Sequence, residues 1–383
     1  MYKVLIASAG LGNRLKGITK NINKALVSVN FKPAISHIIE KFPEETEFVI
    51  PVGYKKELVT DFCEIAYPSR NFTFIDIDLY EGEGSGLGYS ILKCKEHLQC
   101  PFIFSSNDTI VTEDIPIPEF NWIGYSKHVD PKTYRSIEIK DDKVSNLFGK
   151  GAETEAYAYI GLSGIYDYER FWLEMENGIE SGSIEIGESF GLRALLSQDI
   201  KPIEFTWFDT GNLKKLQETR EAFAKNSKNK DEHIILEKEE EAIFFVNKKV
   251  IKFCVDKDFI ANRASRASDL LPFTPKVHNV KDNFYSYEWI NGSVMSKSLD
   301  SSAFIAFLDW IKELWVEHKL TKEQKEQFKN GAYNFYKEKT YQRVNDYFKL
   351  AESYDAQEIV NGIDTPKIFD LLDSIDWNKI LPD

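Results

Sequence analysis

Cysteine is scarce in this chain of 383 residues, and its four cysteines, Cys63, Cys94, Cys100 and Cys254, form no Cys-x-x-Cys pair. This spacing argues against zinc motifs and a disulfide framework, so we expect buried free thiols. Long apolar runs are also missing, because no uncharged stretch approaches the roughly 18 residues that a membrane span requires. No charged-then-apolar leader opens the sequence. Together these absences predict a cytoplasmic protein without a membrane span.

Positive charge is not in excess either. The chain has 48 Lys and Arg residues against 61 Asp and Glu residues, for a formal net charge of −13. A polyanion such as DNA needs a basic face, so the sequence predicts no nucleic-acid partner. A small phosphorylated ligand needs only a few local cations.

The length predicts two domains, because single hydrophobic cores seldom grow beyond roughly 250 residues. Hydrophobic residues make up 43% of the chain and aromatic residues 14%, which is ample for two packed cores. Residues 224–232 are polar, charged and free of apolar periodicity. We therefore predict domains at 1–223 and 233–383, joined by a linker at 224–232.

The first chemical signal is a glycine-rich turn after an apolar run, Val4–Ala7, that is typical of a buried parallel strand. Gly10 and Gly12 lack a Cβ, so backbone N–H groups can close on an anion, and Arg14 and Lys24 add two cations. No Gly-Lys-Ser/Thr follows, so this is not a Walker P-loop. The alternative is a tight turn between a strand and a helix.

Strand-like and helix-like segments then alternate through residues 33–78, which predicts an α/β fold with a doubly wound, mostly parallel sheet and ligands at the carboxyl ends of its strands. A second glycine-rich loop, 80–91, precedes a helix predicted at Ser90–His97. Its glycines would let a flat ring lie against the backbone. The alternative is a flexible surface loop.

Two apolar strands end in carboxylates. Asn107 and Asp108 follow residues 101–106, and Asp209 follows residues 205–208. Two carboxylates at neighbouring strand ends suit one Mg²⁺, a hard cation that takes oxygen ligands. Taken singly, such an aspartate is more often a cap or turn residue.

These motifs together resemble the nucleotidylyltransferases that activate sugar phosphates and phosphocholine-like compounds. The resemblance rests on the Ala-Gly-x-Gly-x-Arg turn, on Lys24 before a small apolar run and on Trp207-x-Asp209-x-Gly211, and it covers Met1 to about Phe223. The family usually has Pro-Lys where this chain has Asn23-Lys24. The resemblance implies a Rossmann-like fold that binds Mg²⁺ through Asp108 and Asp209. It implies catalytic roles for these two aspartates and for Arg14 and Lys24. It also implies that the nucleotide is contacted by Ala9, Gly10, Gly12 and Asn107.

The resemblance also implies a base-reading residue and an acceptor site. Glu81 stands where family members have a glutamine that reads the base, and Gly86 would contact the base through its backbone. A carboxylate only accepts hydrogen bonds, so Glu81 favours the amino group of cytosine and therefore CTP as the donor. Lys150 and Gly161 match acceptor-binding positions, although a solvated turn lysine is nearly as good an interpretation. Three aromatic residues, Tyr125, Tyr134 and Trp172, either line a pocket or belong to the core.

The later region predicts a hairpin at 241–255, a helix from Lys257 to Leu271 and two more strands at 276–290. This order resembles the smaller α+β N-lobe of the choline-kinase and aminoglycoside-phosphotransferase group, with Lys252 as the ATP lysine and residues 288–292 as the hinge. The region lacks a Gly-x-Gly-x-x-Gly loop and a His-x-Asp catalytic loop. Two long helices are predicted beyond it, Ser302–His318 and Lys325–Ala351.

The sequence therefore predicts Mg²⁺-dependent transfer of a nucleoside monophosphate, from CTP by preference, to a phosphorylated sugar or small phospho-compound, with release of pyrophosphate. The resemblance implies a place in bacterial capsule, lipooligosaccharide or cell-wall glycan synthesis, and a homo-oligomer stays open. The alternative hypothesis is a non-catalytic nucleotide-binding scaffold with a pseudokinase-like appendage. The two carboxylates favour the enzyme, because a sensor has no need of both.

Overall fold

The computed structural model describes residues 2–127, 131–151, 156–226, 239–292, 295, 299–315 and 319–381. The chain forms two compact units, Met1–Leu299 and Asp300–Asp383. The predicted linker at 224–232 begins inside a helix that runs to Asn226, and its residues 227–232 lie outside the described residues. The predicted domain boundaries thus stay a prediction.

The first unit contains seventeen described strands and eight described α-helices. Its strands are β1 (Lys3–Ala7), β2 (Ser28–Val29), β3 (Lys32–Pro33), β4 (Glu47–Val52), β5 (Asn71–Asp76), β6 (Phe102–Ser106), β7 (Thr109–Val111), β8 (Trp122–Ser126), β9 (Ser136–Lys140), β10 (Lys143–Phe148), β11 (Tyr157–Ile165), β12 (Lys201–Glu204), β13 (Trp207–Asp209), β14 (Glu241–Val246), β15 (Lys249–Cys254), β16 (Val277–Lys281) and β17 (Phe284–Glu288). Its helices are α1 (Ala34–Ile39), α2 (Lys56–Ala66), α3 (Leu87–Lys93), α4 (Tyr168–Asn177), α5 (Ser183–Ile186), α6 (Glu188–Ala194), α7 (Leu213–Asn226) and α8 (Lys257–Asp269).

Nine of these strands form the main sheet, which follows the path β10-β9-β11-β6-β1-β4-β5. Off this path, β8 pairs with β11, and β12 pairs with β8. Strands β5, β4, β1 and β6 are parallel to one another, as predicted. Strand β11 runs antiparallel to β6, β8 and β9. The sheet is therefore mixed rather than mostly parallel, because β11 reverses the direction beside the parallel half.

Strands β1, β4 and β6 of the parallel half are buried on both faces, which explains their continuous apolar runs, whereas the edge strand β5 is only partly buried. Val4 and Ile6 pack into one core while Leu5 packs into the other, and all three side chains are fully buried. Successive strand residues point to opposite faces, so both sides of β1 must be covered by helices. This places the carboxyl end of β1, where the glycine-rich turn begins, at an edge of the core.

A second, antiparallel sheet has the order β14-β15-β17-β16. It packs on α2, where the rings of Phe62 and Phe244 lie 5.5 Å apart edge to face and Asn247 Nδ2 donates to the Ala66 carbonyl at 3.0 Å. Helix α8 covers its other face through Ile260 and Ala264. The predicted hairpin, helix and strands are thus present, and the sheet shares the core of the first unit.

The second unit contains helices α9 (Ser301–Ile311), α10 (Lys322–Tyr333), α11 (Lys339–Leu350), α12 (Ile368–Asp373) and α13 (Trp377–Ile380), and a hairpin of β18 (Glu358–Val360) and β19 (Ile363–Thr365). A π-helical segment, Asn334–Glu338, joins α10 to α11. The helix predicted at Ser302–His318 ends at Ile311, and its residues 316–318 lie outside the described residues. Across the described parts of the chain, no helix is both long enough and apolar enough to cross a membrane.

Candidate active site

A cavity of about 360 Å³ opens where the central parallel strands end. Its walls come from the glycine-rich turn, from the start of α3 with the loop before it, and from the ends of β6 and β13. The lining residues are Ala7, Ala9, Gly10, Gly12, Asn13, Arg14, Lys24, Tyr80, Ser85, Gly86, Leu87, Ser90, Ser106, Asn107 and Gly211. Seven of the predicted site residues therefore surround one space: Ala9, Gly10, Gly12, Arg14, Lys24, Gly86 and Asn107.

The glycine-rich turn needs glycine for a geometric reason. Gly12 has φ +70°, and a Cβ there would lie 2.9 Å from Thr19 Cγ2 and 3.1 Å from Lys24 Cβ. Gly10 faces open space, with nothing within 4 Å of the position of a Cβ. Within the described structure, the N–H groups of Gly10 and Gly12 donate to no backbone carbonyl. These exposed donors suit an anion such as a triphosphate.

Lys24 and Asp108 form the central ion pair of the site. Lys24 Nζ donates to Asp108 Oδ2, Ser106 Oγ donates to Asp108 Oδ1, and Arg14 Nη2 lies 3.7 Å from Oδ2. Burial alone would raise the pKa of Asp108, but the Lys24 ammonium, its hydrogen bond and that of Ser106 outweigh burial and lower the pKa to about 2. Asp108 is therefore ionised at neutral pH.

Asp209 is the second carboxylate, at the end of β13 and opposite Thr109 of β7. Its Oδ1 accepts from the Gly211 N–H at 2.6 Å and its Oδ2 accepts from the Tyr134 hydroxyl at 2.8 Å. Burial and the neighbouring Asp108 carboxylate raise the pKa of Asp209. A cation bound here would stabilise the ionised form.

The two carboxylates converge above Gly211. A Cβ at Gly211 would lie 2.6 Å from Asp108 Oδ2, 2.9 Å from Asp209 Oδ1 and 3.4 Å from Arg14 Nη2. Only glycine leaves this point open. In the described ranges, no group of three or more His, Cys, Asp or Glu side chains could hold a metal ion. Two carboxylates nevertheless fit Mg²⁺, which commonly binds one or two carboxylates and takes its remaining ligands from substrate phosphates and water.

Further cations lie towards the predicted acceptor side. Partial burial and the nearby charges of Arg14 and Arg135 lower the pKa of Lys150. Arg135 is held by Glu188, since its Nη1 lies 3.5 Å from Glu188 Oε1 and its Nη2 donates to the Ile186 carbonyl at 2.6 Å. Glu188 is buried, which raises its pKa, and its Oε2 has no hydrogen bond of ordinary geometry within the described structure. Lys150 itself does not line the cavity.

The end of the second glycine-rich loop packs closely on α5. A Cβ on Gly86 would lie 2.3 Å from the Ile184 carbonyl oxygen, and one on Gly88 would lie 1.9 Å from that of Ser183. These glycines thus let the start of α3 pack against α5, and only Gly86 also lines the cavity. Glu81 is exposed and is not among the lining residues, so its contact with a base stays a prediction.

The remaining predicted residues separate into site and core. Gly161 has φ +72° in β11, and a Cβ there would lie 3.0 Å from Ser106 Cβ. Gly161 therefore lies next to Ser106, which binds Asp108. Tyr134 reaches Asp209, whereas Tyr125 and Trp172 are core residues. Sequence reasoning missed Ser106, Arg135 and Glu188. Ser106 stands two residues before Asp108, which is the signal that could have revealed it, but the Arg135–Glu188 pair is far apart in sequence.

The first unit has the Rossmann-like nucleotidyltransferase fold over about 58% of the chain: the structure of CTP:phosphocholine cytidylyltransferase from Streptococcus pneumoniae superposes with TM-score 0.50 and 22% identity, covering 58% of this chain and 99% of that one. A UDP-glucose pyrophosphorylase complexed with UDP-glucose gives TM-score 0.50 and 19% identity, covering 59% of this chain and 100% of that one.

Sequence comparisons agree for the N-terminal part. The chain is 31% identical over 236 residues to a bifunctional GlmU protein of Methanococcus vannielii, covering 58% of this chain and 55% of that protein. It is 34% identical over 111 residues to a choline-phosphate cytidylyltransferase of Streptococcus pneumoniae, covering 28% and 44%. The chain spans about half the length of these curated relatives. No family model matches the chain.

The predicted resemblance to nucleotidylyltransferases is thus confirmed for the N-terminal part. The kinase-like interpretation of the region after residue 233 stays a prediction.

Proposed function

We propose that this chain transfers a nucleoside monophosphate from a nucleoside triphosphate to a phosphorylated small molecule and releases pyrophosphate. The observation that carries the proposal is the convergence of Arg14, Lys24, Asp108 and Asp209 around Gly211, beside a cavity walled by a glycine-rich turn. This arrangement can bind a triphosphate and neutralise charge at its α-phosphorus.

The reaction requires little covalent chemistry from the protein. A phosphate oxygen of the acceptor attacks the α-phosphorus, a new P–O bond forms, and the bond from the α-phosphorus to the bridging oxygen breaks as pyrophosphate leaves with its electron pair. The attacking phosphate is already ionised at neutral pH, so no general base is needed. The protein contributes by positioning the reactants and by stabilising charge.

Arg14 and Lys24 are the proposed cationic contacts with the triphosphate. The Arg14 side chain is 61% exposed and can reach a bound ligand, whereas the Lys24 side chain is 12% exposed and is fixed on Asp108. Lys24 therefore suits the stabilisation of charge that develops at one defined atom. The Gly10 and Gly12 N–H groups would bind the phosphate oxygens.

Asp108 and Asp209 are the proposed holders of Mg²⁺. When held by these two carboxylates, the ion would act as a Lewis acid and stabilise negative charge on the phosphates. The lowered pKa of Asp108 keeps this carboxyl ionised and able to bind a cation. Besides burial, the Asp108 charge contributes to the raised pKa of Asp209, and a bound cation would offset the repulsion between the two carboxylates.

The preferred donor is proposed to be CTP. The support is Glu81, whose carboxylate would accept from the cytosine amino group and repel the C4 oxygen of uracil. One relative named above is called a CTP enzyme and another a UDP-glucose pyrophosphorylase, so the relatives cover both pyrimidines.

The acceptor is proposed to carry a phosphate that binds Lys150. Arg135 lies near Lys150, and Gly161 lies next to Ser106. The acceptor class is a sugar 1-phosphate or a phosphorylated amine, in keeping with the names of the relatives. A place in the synthesis of bacterial surface-glycan precursors in the cytoplasm follows from the sequence resemblance alone.

A screen of sugar 1-phosphates and phosphorylated amines against all four nucleoside triphosphates, with Mg²⁺ and with pyrophosphate release as the readout, tests the proposal. The expected result is release that requires both a triphosphate and an acceptor. If calorimetry shows tight binding of a triphosphate but no combination of substrates releases pyrophosphate, the enzyme hypothesis is overturned and the scaffold hypothesis is supported.

A further inference from the structure

Asn23, which precedes Lys24, is fully buried and uses its amide group completely. Its Nδ2 donates to the Tyr54 carbonyl at 2.6 Å and to the Ser8 carbonyl at 3.3 Å, and its Oδ1 accepts from the Ala25 N–H at 2.8 Å. An asparagine offers two N–H donors and one carbonyl acceptor, so each part of the amide has a partner. A buried polar side chain with this many bonds holds its backbone in one place.

The partners of Asn23 are rigid parts of the fold. Ser8 follows β1 directly and Tyr54 lies just beyond β4, and these two strands are parallel neighbours at the centre of the main sheet. The third partner, Ala25, belongs to a short 3₁₀ turn, Lys24–Leu26, which Asn23 caps. Asn23 therefore fixes the turn that carries Lys24 to the ends of two central strands.

The consequence falls on Lys24. The backbone of Lys24 follows Asn23 directly, and its ammonium group donates to Asp108, which follows the end of β6. A lysine side chain has a long flexible stem, so the position of its charge depends on how well its backbone is held. In a reaction that relies on positioning, a displacement of about 1 Å can cost on the order of 100-fold in rate.

We propose that Asn23 is a positioning residue that holds the Lys24 ammonium on the reacting phosphates through these three hydrogen bonds. This inference rests on the proposed nucleotidyl transfer. Asn23 has φ −67° and ψ 147°. A proline at this position, usual in the resembled family, would restrict φ to about −65°. Asn23 reaches the same backbone direction by side-chain hydrogen bonds instead.

Asn23→Ser is the main test, because serine is a good cap for the Ala25 N–H but is too short to reach the carbonyls of Ser8 and Tyr54. The matched control is Asn121→Ser. Asn121 is another buried asparagine, whose Oδ1 accepts from Tyr166 N–H at 2.9 Å and Asp167 N–H at 3.1 Å and whose Nδ2 donates to Asp167 Oδ2. It lies outside the cavity lining.

For Asn23→Ser we expect kcat to fall by roughly tenfold to 100-fold while the Michaelis constant for the triphosphate changes by less than about threefold. The control should lose thermal stability but keep its kcat. Asn23→Pro should recover part of the lost kcat, because it restores the backbone angle. Equal kcat in Asn23→Ser and wild type, or an equal loss of kcat in the control, would overturn the inference.

A second readout does not depend on turnover. In crystal structures, the Lys24 ammonium should be displaced from Asp108 Oδ2 in Asn23→Ser and should remain on it in Asn121→Ser. An unchanged contact between Lys24 and Asp108 in Asn23→Ser would contradict the positioning role even if no acceptor is found. Absence of turnover in wild type would count against the proposed function alone.

Discussion

The ammonium group of Lys24 donates to Oδ2 of Asp108, and this contact joins the short 3₁₀ turn Lys24–Leu26 to the carboxylate that follows β6. Residues 84 positions apart in sequence thus meet because β1 and β6 are parallel neighbours that end at the same edge. The pair leaves an ionised carboxylate and a fixed cation beside one open point above Gly211.

Replacing either carboxylate should stop Mg²⁺-dependent turnover. We expect Asp108→Asn and Asp209→Asn each to lower kcat by at least about 100-fold, because metal-assisted charge stabilisation contributes several kcal/mol. Circular dichroism should show an intact fold, since asparagine keeps the shape of aspartate. Near wild-type rates in both variants would remove the metal assignment.

Lys24→Ala should lower kcat more than it raises the Michaelis constant for the triphosphate. Loss of one preorganised charge contact of this kind commonly costs on the order of 100-fold to 1,000-fold in kcat. The matched control is Lys20→Ala, an exposed lysine in the preceding 3₁₀ segment. An effect confined to the Michaelis constant would make Lys24 a ground-state phosphate contact only.

Acid stability should report the Lys24–Asp108 pair. Asp108 has a pKa of about 2 in the folded protein against an ordinary value of 3.8. Because folding favours its ionised form, this contribution is fully present above pH 3.8 and is lost as the pH falls towards about 2. The free energy of unfolding of wild type minus that of Asp108→Asn should therefore shrink across this window. A difference that stays constant there would show that the pair does not lower the Asp108 pKa.

Arg135 should act on the acceptor. It lies near enough to Lys150 to lower the pKa of that lysine, and Glu188 holds it in place. We expect Arg135→Gln to raise the Michaelis constant for the phosphorylated acceptor by roughly tenfold to 100-fold, since a charge-assisted hydrogen bond is worth about 1.5–3 kcal/mol. The Michaelis constant for the triphosphate should stay nearly unchanged. The control is Arg170→Gln, whose Nε donates to the Ala194 carbonyl at 3.1 Å on the protein surface. Equal effects on both substrates would contradict an acceptor role.

Glu81 should set the choice of pyrimidine. In Glu81→Gln the ratio of kcat/KM for CTP to that for UTP should fall by about tenfold or more, because a good base-edge contact discriminates by roughly 1–3 kcal/mol. The neighbouring exposed Glu83→Gln is the matched control. A ratio unchanged by Glu81→Gln would leave Glu81 as a loop residue only.

Sequence patterns predicted the parallel half of the sheet because β1, β4 and β6 are continuous apolar runs with turn signals at their ends. They also predicted which strand ends carry chemistry, since Asp108 and Asp209 each follow such a run. The antiparallel half was predicted less well, because the direction of β11 depends on pairing between segments that are distant in the chain.

The close approaches in the site could not be predicted. Gly86 and Gly88 accommodate the carbonyls of Ile184 and Ser183, and no local pattern in the loop 80–91 encodes that contact. Asn23 stands where the resembled family usually has proline, and the sequence does not reveal that its buried amide binds carbonyls beyond β1 and β4. Both depend on tertiary packing rather than on local sequence.

The fate of the phosphorus atoms of CTP tests directly whether the protein transfers a nucleoside monophosphate. CTP labelled at the α-phosphate, and separately at the γ-phosphate, is incubated with the protein, Mg²⁺ and the panel of phosphorylated acceptors. We expect the α-label to enter an acceptor-linked product while the γ-label leaves only in pyrophosphate, and we expect Asp108→Asn to form no such product. Transfer of the γ-label to an acceptor, or an α-label that stays in CTP with every acceptor, would contradict it.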